Sequence, residues 1–565
     1  MMPDAPISNR GVTNTITGRD AFLRVLSDEG VSRMFGNPGT TELPIMHALS
    51  SAPEMGYVLG LQEAVVIAMA DGYARASGKL VSCNVHVAPG LGNAIGSIYT
   101  SLMSGTAMIV TAGQQEQGHG LTEPLLYAPL VPIAQPVVKW AVEVNRIEDL
   151  PRILRRAAKV ATTAPTGPVF ISLPGDILNN EAAIDMGATT RVDTAVRPSD
   201  AAIEQLARRL LSARNLVMLA GHEIVTSDAF AEAAELAETL GVPVWHQTVG
   251  HGAHFPSEHP CYLGALNRDQ KRVRGILAEH DLMLCVGADV LQMSVWSEVE
   301  PLPETTKVAM IGLRDWEMGK NFPAEIALRA DVKETLRALI PVLKKLGGSA
   351  LQEKAKKSIA SLAAKNWSAQ KAQRLKALPA PVAGQPLPAE WVMARLAEAM
   401  PNDAILVEEG LTSTTTLPAY FPYRDRKSFF GNVSGGIGWG IAAAVGVQIA
   451  EPGRRVFAVI GDGSAMYSIT ALWSAANQKL PVIFLIMNNE GYQILKNRLK
   501  LFHGNDTPIG MDFNDPPMDV TKIAEGFGVT AERVDTAEGF GAAMKRALAK
   551  TDGPSLLEVM VKKVG

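Results

Sequence analysis

Short runs of aliphatic and β-branched residues alternate with stretches of helical periodicity along nearly the whole chain. Over 1–188, AMIVTA (107–112) and PVFISLP (168–174) read as buried strands, the second ending in a Pro-Gly turn. That rhythm predicts a doubly wound α/β unit. A second unit, 189–350, carries NLVMLAG (215–221), a helix spanning 227–240, DLMLCVGA (281–288) and KVAMIG (307–312). The segment 351–388 breaks the alternation. It is Ala/Lys-rich and helical in pattern as far as Lys376, and LPAPVAGQPLPAE (378–390) then has the composition of an extended linker. A third α/β unit, 389–565, has strands at DAILVEEG, RRVFAVIGDG, PVIFLIMNN and SLLEVMV. The expected fold class is α/β, with three doubly wound parallel-sheet domains. The first and last domains look alike in size and alternation, which suits a site built between two related units.

Composition narrows the function. With 47% hydrophobic and 19% charged residues the chain is not disordered, and a net charge of −4 is too mild for nucleic acid or an anionic membrane as the main partner. A small ligand is expected. Cys83, Cys261 and Cys285 form no CxxC pair and are too few for a disulfide framework, so a reducing compartment fits. The first residues, MMPDAPISNR, lack the basic start and apolar stretch of a secretory signal. The longest weakly polar stretch, 435–450, falls short of the ~20 apolar residues a membrane helix needs. The expected location is cytoplasmic.

The densest chemical signal is Gly461-Asp462-Gly463 followed, after twenty-four residues, by Asn488-Asn489. An apolar strand runs into the first motif, a helical stretch follows, and a second strand delivers the Asn pair. In a parallel sheet both turns lie at the carboxyl edge, where ligands bind. Asp462 and Asn489 can then converge on one cation, and one carboxylate with one amide oxygen suits Mg2+, which completes its shell with phosphate oxygens and water. The glycines let backbone amides approach those phosphates. Either half alone reads as a tight turn.

The spacing resembles the signature of the thiamine-diphosphate-dependent enzymes, and the resemblance covers nearly the whole chain. It implies a pyrimidine-binding domain, a middle domain and a diphosphate-binding domain, in that order. It also implies that Asp462, Asn489 and the backbone carbonyl of Gly491 hold Mg2+ on the cofactor's diphosphate, with Thr412, Gly461, Gly463 and Ser464 in the cofactor-binding set. Ile437, in SGGIGWGIAAAVGVQ, matches the bulky residue that props the cofactor in its bent conformation. Read locally, Ile437 is preferably a core isoleucine among helix-packing glycines, and Thr412 to Thr415 equally a polar turn.

Glu63, in LQEAVVIAMADGYARASG, reads locally as a helix-start residue facing the dipole. Its context resembles the family glutamate that hydrogen-bonds N1' of the aminopyrimidine, which makes Glu63 the expected catalytic acid. Loss of the weakly acidic C2 proton of thiazolium needs a nearby base, and a buried carboxylate at N1' turns the pyrimidine into one. The family's site lies between two subunits, so a homo-oligomer, a dimer of dimers, is implied.

GNPGTTELP (36–44), VHVAPGLGNAIG (85–96), TAGQQ (111–115), GDGSAMYSITALWSAA and IMNNEGY resemble the benzoylformate decarboxylase branch. That likeness maps the substrate-carboxylate residue onto Thr40, a proton-relaying histidine onto His86, and an apolar substrate pocket onto Leu125, Leu126, Ile494 and Leu495. The branch's second histidine is missing, because GADVLQMSVW places Ser294 there. A serine does not titrate near neutrality, so His119, His246, His251 or His254 supplies the proton step, or the natural reaction differs. Benzoylformate is then expected to be a poor substrate. LGALNRDQKRV lacks the loop with which acetolactate synthases bind flavin, so no FAD is expected. The preferred reading is non-oxidative decarboxylation of a 2-oxo acid to an aldehyde and CO2. Its alternatives are a carboligase or acyl transferase and, further off, an inactive cofactor-binding protein.

Overall fold

The structure, a computed structural model, describes residues 14–294 and 296–563. Each of its three units is built on a six-stranded sheet whose strands pair in parallel. The first sheet runs Gly56–Leu59, Arg33–Gly36, Val81–Val85, Met108–Gln114, Pro168–Pro174, Ala141–Glu143. The third runs Phe429–Gly431, Ile405–Glu409, Val456–Gly461, Ile483–Asn488, Ser555–Met560, Thr530–Val534. Counting strands within each unit, both have the order 2-1-3-4-6-5, so the likeness expected from their alternation extends to topology. The middle sheet, Tyr262–Ala265, Val244–His246, Leu216–Ala220, Leu282–Val286, Lys307–Gly312, Ile326–Arg329, has the dinucleotide-fold order 3-2-1-4-5-6. An antiparallel pair, Asn14–Thr17 with Glu181–Ile184, flanks the first unit.

Strands covered by helices on both faces are apolar throughout rather than alternating. Met108–Gln114 and Pro168–Pro174 are buried at every position, which is why they stand out in the sequence. The segment 351–388 is helical to Ala377: the helices Val332–Leu362, broken at Gly348, and Trp367–Ala377 bury Leu351, Leu362 and Trp367 in the core of the middle unit. Cys83, Cys261 and Cys285 are buried free thiols. No helix among the described residues is long and apolar enough to cross a membrane.

The first and third units share one core, formed where helix Glu63–Ser77 meets helix Gly440–Ala450. Their backbones touch. A Cβ on Gly446 would stand 1.8 Å from the Met69 carbonyl oxygen, and one on Gly72 would stand 2.2 Å from that of Ala443. Arg75, one turn further along the first helix, reaches into both other units. It donates to the backbone carbonyls of His251 at 2.5 Å and Gly431 at 3.1 Å, and its guanidinium lies 4.9 Å from the Trp439 ring centroid.

Candidate functional site

In a doubly wound sheet the ligand crevice opens where the strand order reverses. In the third unit that point lies between Ile405–Glu409 and Val456–Gly461, and the chain leaving the second strand is Asp462. The Asp462 carboxylate is 3% exposed. It accepts from the backbone N–H groups of Gly463 at 2.8 Å, Gly491 at 3.1 Å and Asn489 at 3.2 Å. Burial pushes its pKa up, and the opposing backbone N–H groups pull it back. Asn489 is held by its amide nitrogen, which donates to the Ser413 hydroxyl at 3.3 Å, while its Oδ1 is buried without a hydrogen-bond partner.

A desolvated carboxylate contacted by dipoles alone, beside an orphaned amide oxygen, is a set of hard oxygen donors. It fits Mg2+. The Gly491 carbonyl, by contrast, accepts from Gln493 N–H at 2.9 Å. Ser464 is buried in the helix that Asp462 opens, and Thr412 is half-buried in the short turn after Glu409. Ile437 is half-buried in the loop before helix Gly440–Ala450. Sequence reasoning missed what holds that loop, the Glu409 carboxylate. It accepts from Gly440 N–H at 2.8 Å, Asn432 Nδ2 at 2.8 Å, Gly438 N–H at 3.0 Å and Trp439 N–H at 3.2 Å, and burial raises its pKa to about 7.

In the first unit the order reverses between Arg33–Gly36 and Val81–Val85. The strand ends deliver the Asn37-to-Glu42 turn and His86 side by side. Glu42, also missed from the sequence, is fully buried and organises them. Its Oε1 accepts from Gly113 N–H at 2.7 Å and the Thr41 hydroxyl at 2.9 Å, and its Oε2 from Gly39 N–H at 2.9 Å. His86 Nδ1 lies 2.9 Å from that same Oε2. With Nδ1–H given to a carboxylate, Nε2 is the ring atom left to accept or release a proton. The signal in the sequence was a carboxylate two residues beyond Thr40 at the mouth of a buried turn. Glu63 opens its helix nearly buried, its Oε2 accepting from Asn93 Nδ2 at 3.0 Å.

Thr40 is exposed and, with Gln114, Gln115, Glu116 and His119, lines a cavity of about 720 Å³. Of the four histidines considered for the missing proton step, only His119 reaches this cavity. His246, His251 and His254 are buried at the junction of the three units, and burial lowers the pKa of each. Ser294 stands exposed on an irregular segment. Within one chain the four apolar residues expected to form a pocket do not meet as one. Leu125 is 85% exposed, Leu495 46% exposed, and Leu126 and Ile494 half-buried. The physical reason is that two lie on a loop of the first unit and two on a helix of the third, and one residue of each pair stays open to solvent.

Three family profiles match this chain: the thiamine pyrophosphate enzyme N-terminal TPP binding domain over residues 16–124, the central domain over 203–339, and the C-terminal TPP binding domain over 411–559. The chain is 34% identical over 551 residues to benzoylformate decarboxylase of Pseudomonas aeruginosa, covering 96% of this chain and 98% of that one. It is 26% identical to a probable acetolactate synthase large subunit of Methanocaldococcus jannaschii, covering 96% and 92%. Among solved structures, the thiamine diphosphate-dependent 4-hydroxybenzoylformate decarboxylase of Rhodococcus jostii RHA1 superposes with a TM-score of 0.84 at 33% identity, over 97% of this chain and 99% of that one. Profiles running through all three parallel-sheet units, together with a relative alignable along almost its entire length, show that this chain belongs to the thiamine pyrophosphate enzyme family.

Proposed function

We propose that the protein is a lyase that uses thiamine diphosphate and Mg2+ to decarboxylate a 2-oxo acid to an aldehyde and CO2, acting in the cytoplasm as a dimer of dimers. The observation that carries this is the buried Asp462 carboxylate beside the unpartnered Asn489 Oδ1 at the third unit's switch point, in a chain whose full-length relatives include a benzoylformate decarboxylase. Thiamine diphosphate, when bound, supplies an acidic carbon and an electron sink for the departing CO2. Asp462, Asn489 and the Gly491 carbonyl would hold the metal, and Thr412, Gly461, Gly463 and Ser464 the diphosphate, with Ile437 beneath the rings.

Glu63, from a second subunit, would share a proton with the pyrimidine. Thr40 orients the substrate carboxylate. His86, fixed by Glu42, moves protons at Nε2. Leu125 and Leu126 of one chain and Ile494 and Leu495 of another form the apolar wall when two chains meet. A carboligase is the second reading, favoured by the acetolactate synthase relative and by serine at position 294. Both are tested by offering benzoylformate, pyruvate, branched and acidic 2-oxo acids to the Mg2+- and cofactor-loaded protein and identifying products by mass spectrometry. Aldehyde and CO2 from a hydrophobic 2-oxo acid support the lyase, and a condensed hydroxy-ketone supports the carboligase. An acidic favourite overturns the apolar wall, and benzoylformate as the clear best substrate overturns the weight given to Ser294.

A further inference from the structure

His222 follows the first strand of the middle sheet, and His251 and His254 lie in the loop after Val244–His246. The three rings face one another where the middle unit abuts the other two: His222–His251 centroids are 4.2 Å apart, His251–His254 5.3 Å and His222–His254 5.7 Å. One nitrogen from each lies within 4.8 Å of the other two. His251 and His254 are 2% and 0% exposed. Four ring nitrogens, His222 Nδ1, His251 Nε2 and both of His254, are buried without a hydrogen-bond partner. Leaving a buried ring nitrogen unpaired is unfavourable, so four of them concentrated in one spot point to a single common ligand rather than four separate defects.

The surroundings are those of a ligand set. His251 Nδ1 faces the Val249 carbonyl at 3.3 Å, the Ser104 backbone lies against His222, and the His246 ring stacks on His254 at 4.1 Å. Outer partners of this kind fix ring tautomer and orientation at metal centres. Burial and the nearby Arg75 keep all three imidazoles neutral, the form that ligates a metal. Arg75 itself is engaged by two carbonyls and by Asp71 at 3.5 Å, whose carboxylate offsets its charge. We propose that His222, His251 and His254 form a binding site for a zinc-class transition metal ion, with a water or hydroxide completing a tetrahedron, on the face of the middle unit that abuts the other two. Zinc–nitrogen bonds of about 2.1 Å set ligand nitrogens about 3.4 Å apart, so ring rotations on the order of 1 Å close the set. Imidazole-only ligation separates this site from the oxygen-lined one at Asp462.

The test uses the full-length, cofactor-loaded protein, stripped with a strong chelator and reloaded with Zn2+ or Co2+ alone while Mg2+ is kept in excess. Wild type, Asp462→Ala and the surface variant His503→Gln should each retain about one equivalent of zinc. Tetrahedral cobalt bands should appear in the visible spectrum, and the melting temperature should rise on loading. His222→Gln and His254→Gln should lose the metal, the bands and the rise. If those variants fail to fold, X-ray absorption on zinc-loaded wild type decides, with a shell of three imidazole nitrogens expected. Wild type that retains less than about a tenth of an equivalent, or a zinc shell of oxygens alone, overturns the site.

Discussion

Glu63 and Glu42 show how neighbours give the same residue type different surroundings. Glu42 has both oxygens occupied by four donors, counting His86 Nδ1, which makes it a rigid orienting group. Glu63 has one side-chain partner, Asn93, and stands at a helix start with an oxygen near Gly90. Glu63→Gln should therefore leave cofactor affinity within a few-fold of wild type while turnover falls at least ~100-fold, the low end for a lost proton-transfer role. Exchange of the cofactor's C2 proton should slow in parallel, and a wild-type exchange rate would remove Glu63 from this role. Glu63 and Asp462 could be singled out in the sequence because each sits in a long local motif. Glu42 was not, since its meaning depends on Gly113 and His86 arriving from other strands, and the His222 to His254 cluster hid for the same reason.

At the scale of single elements, the loop before helix Gly440–Ala450 hangs on the Glu409 carboxylate, whose pKa burial raises from 4.5 to about 7. The folded protein then holds a proton that the unfolded chain has released, so stability falls as pH rises from about 4.5 to 7 and levels off above. Neighbouring Glu408 pushes in the same direction. The contribution is up to about 3 kcal/mol. Glu409→Gln should flatten that slope in denaturant titrations across the window, and an unchanged slope would assign it elsewhere. The following helix makes a second prediction. Gly446→Ala should be favourable by about 1 kcal/mol on helix propensity alone, yet its Cβ meets the Met69 carbonyl oxygen at 1.8 Å. Net destabilisation of about 1–3 kcal/mol is expected from urea melts. The central strands could be read from their unbroken apolar runs. Short edge strands such as Ala141–Glu143 and Phe429–Gly431 could not, because three residues carry no periodicity and only the neighbouring strand defines them.

For the whole molecule, large apolar side chains stand exposed on both units that build the candidate site, Leu121, Leu125 and Tyr127 on the first and Tyr467, Leu495 and Phe502 on the third. If each site draws Glu63 from one chain and Asp462 from another, mixing Glu63→Gln chains with Asp462→Ala chains should restore activity. One site of each mixed dimer collects both lesions and the other collects neither, giving about half the wild-type rate per mixed dimer. Sites contained within single chains would stay dead after mixing. Arg75 adds a constraint on rebuilding the molecule from parts. Its guanidinium depends on a carbonyl from the middle unit, a carbonyl from the third and Asp71 from its own. A chimera that grafts a foreign middle unit must present an acceptor where the His251 carbonyl stands or leave one buried guanidinium donor unpaired. The three sheets are thus complete as folds without being interchangeable as modules.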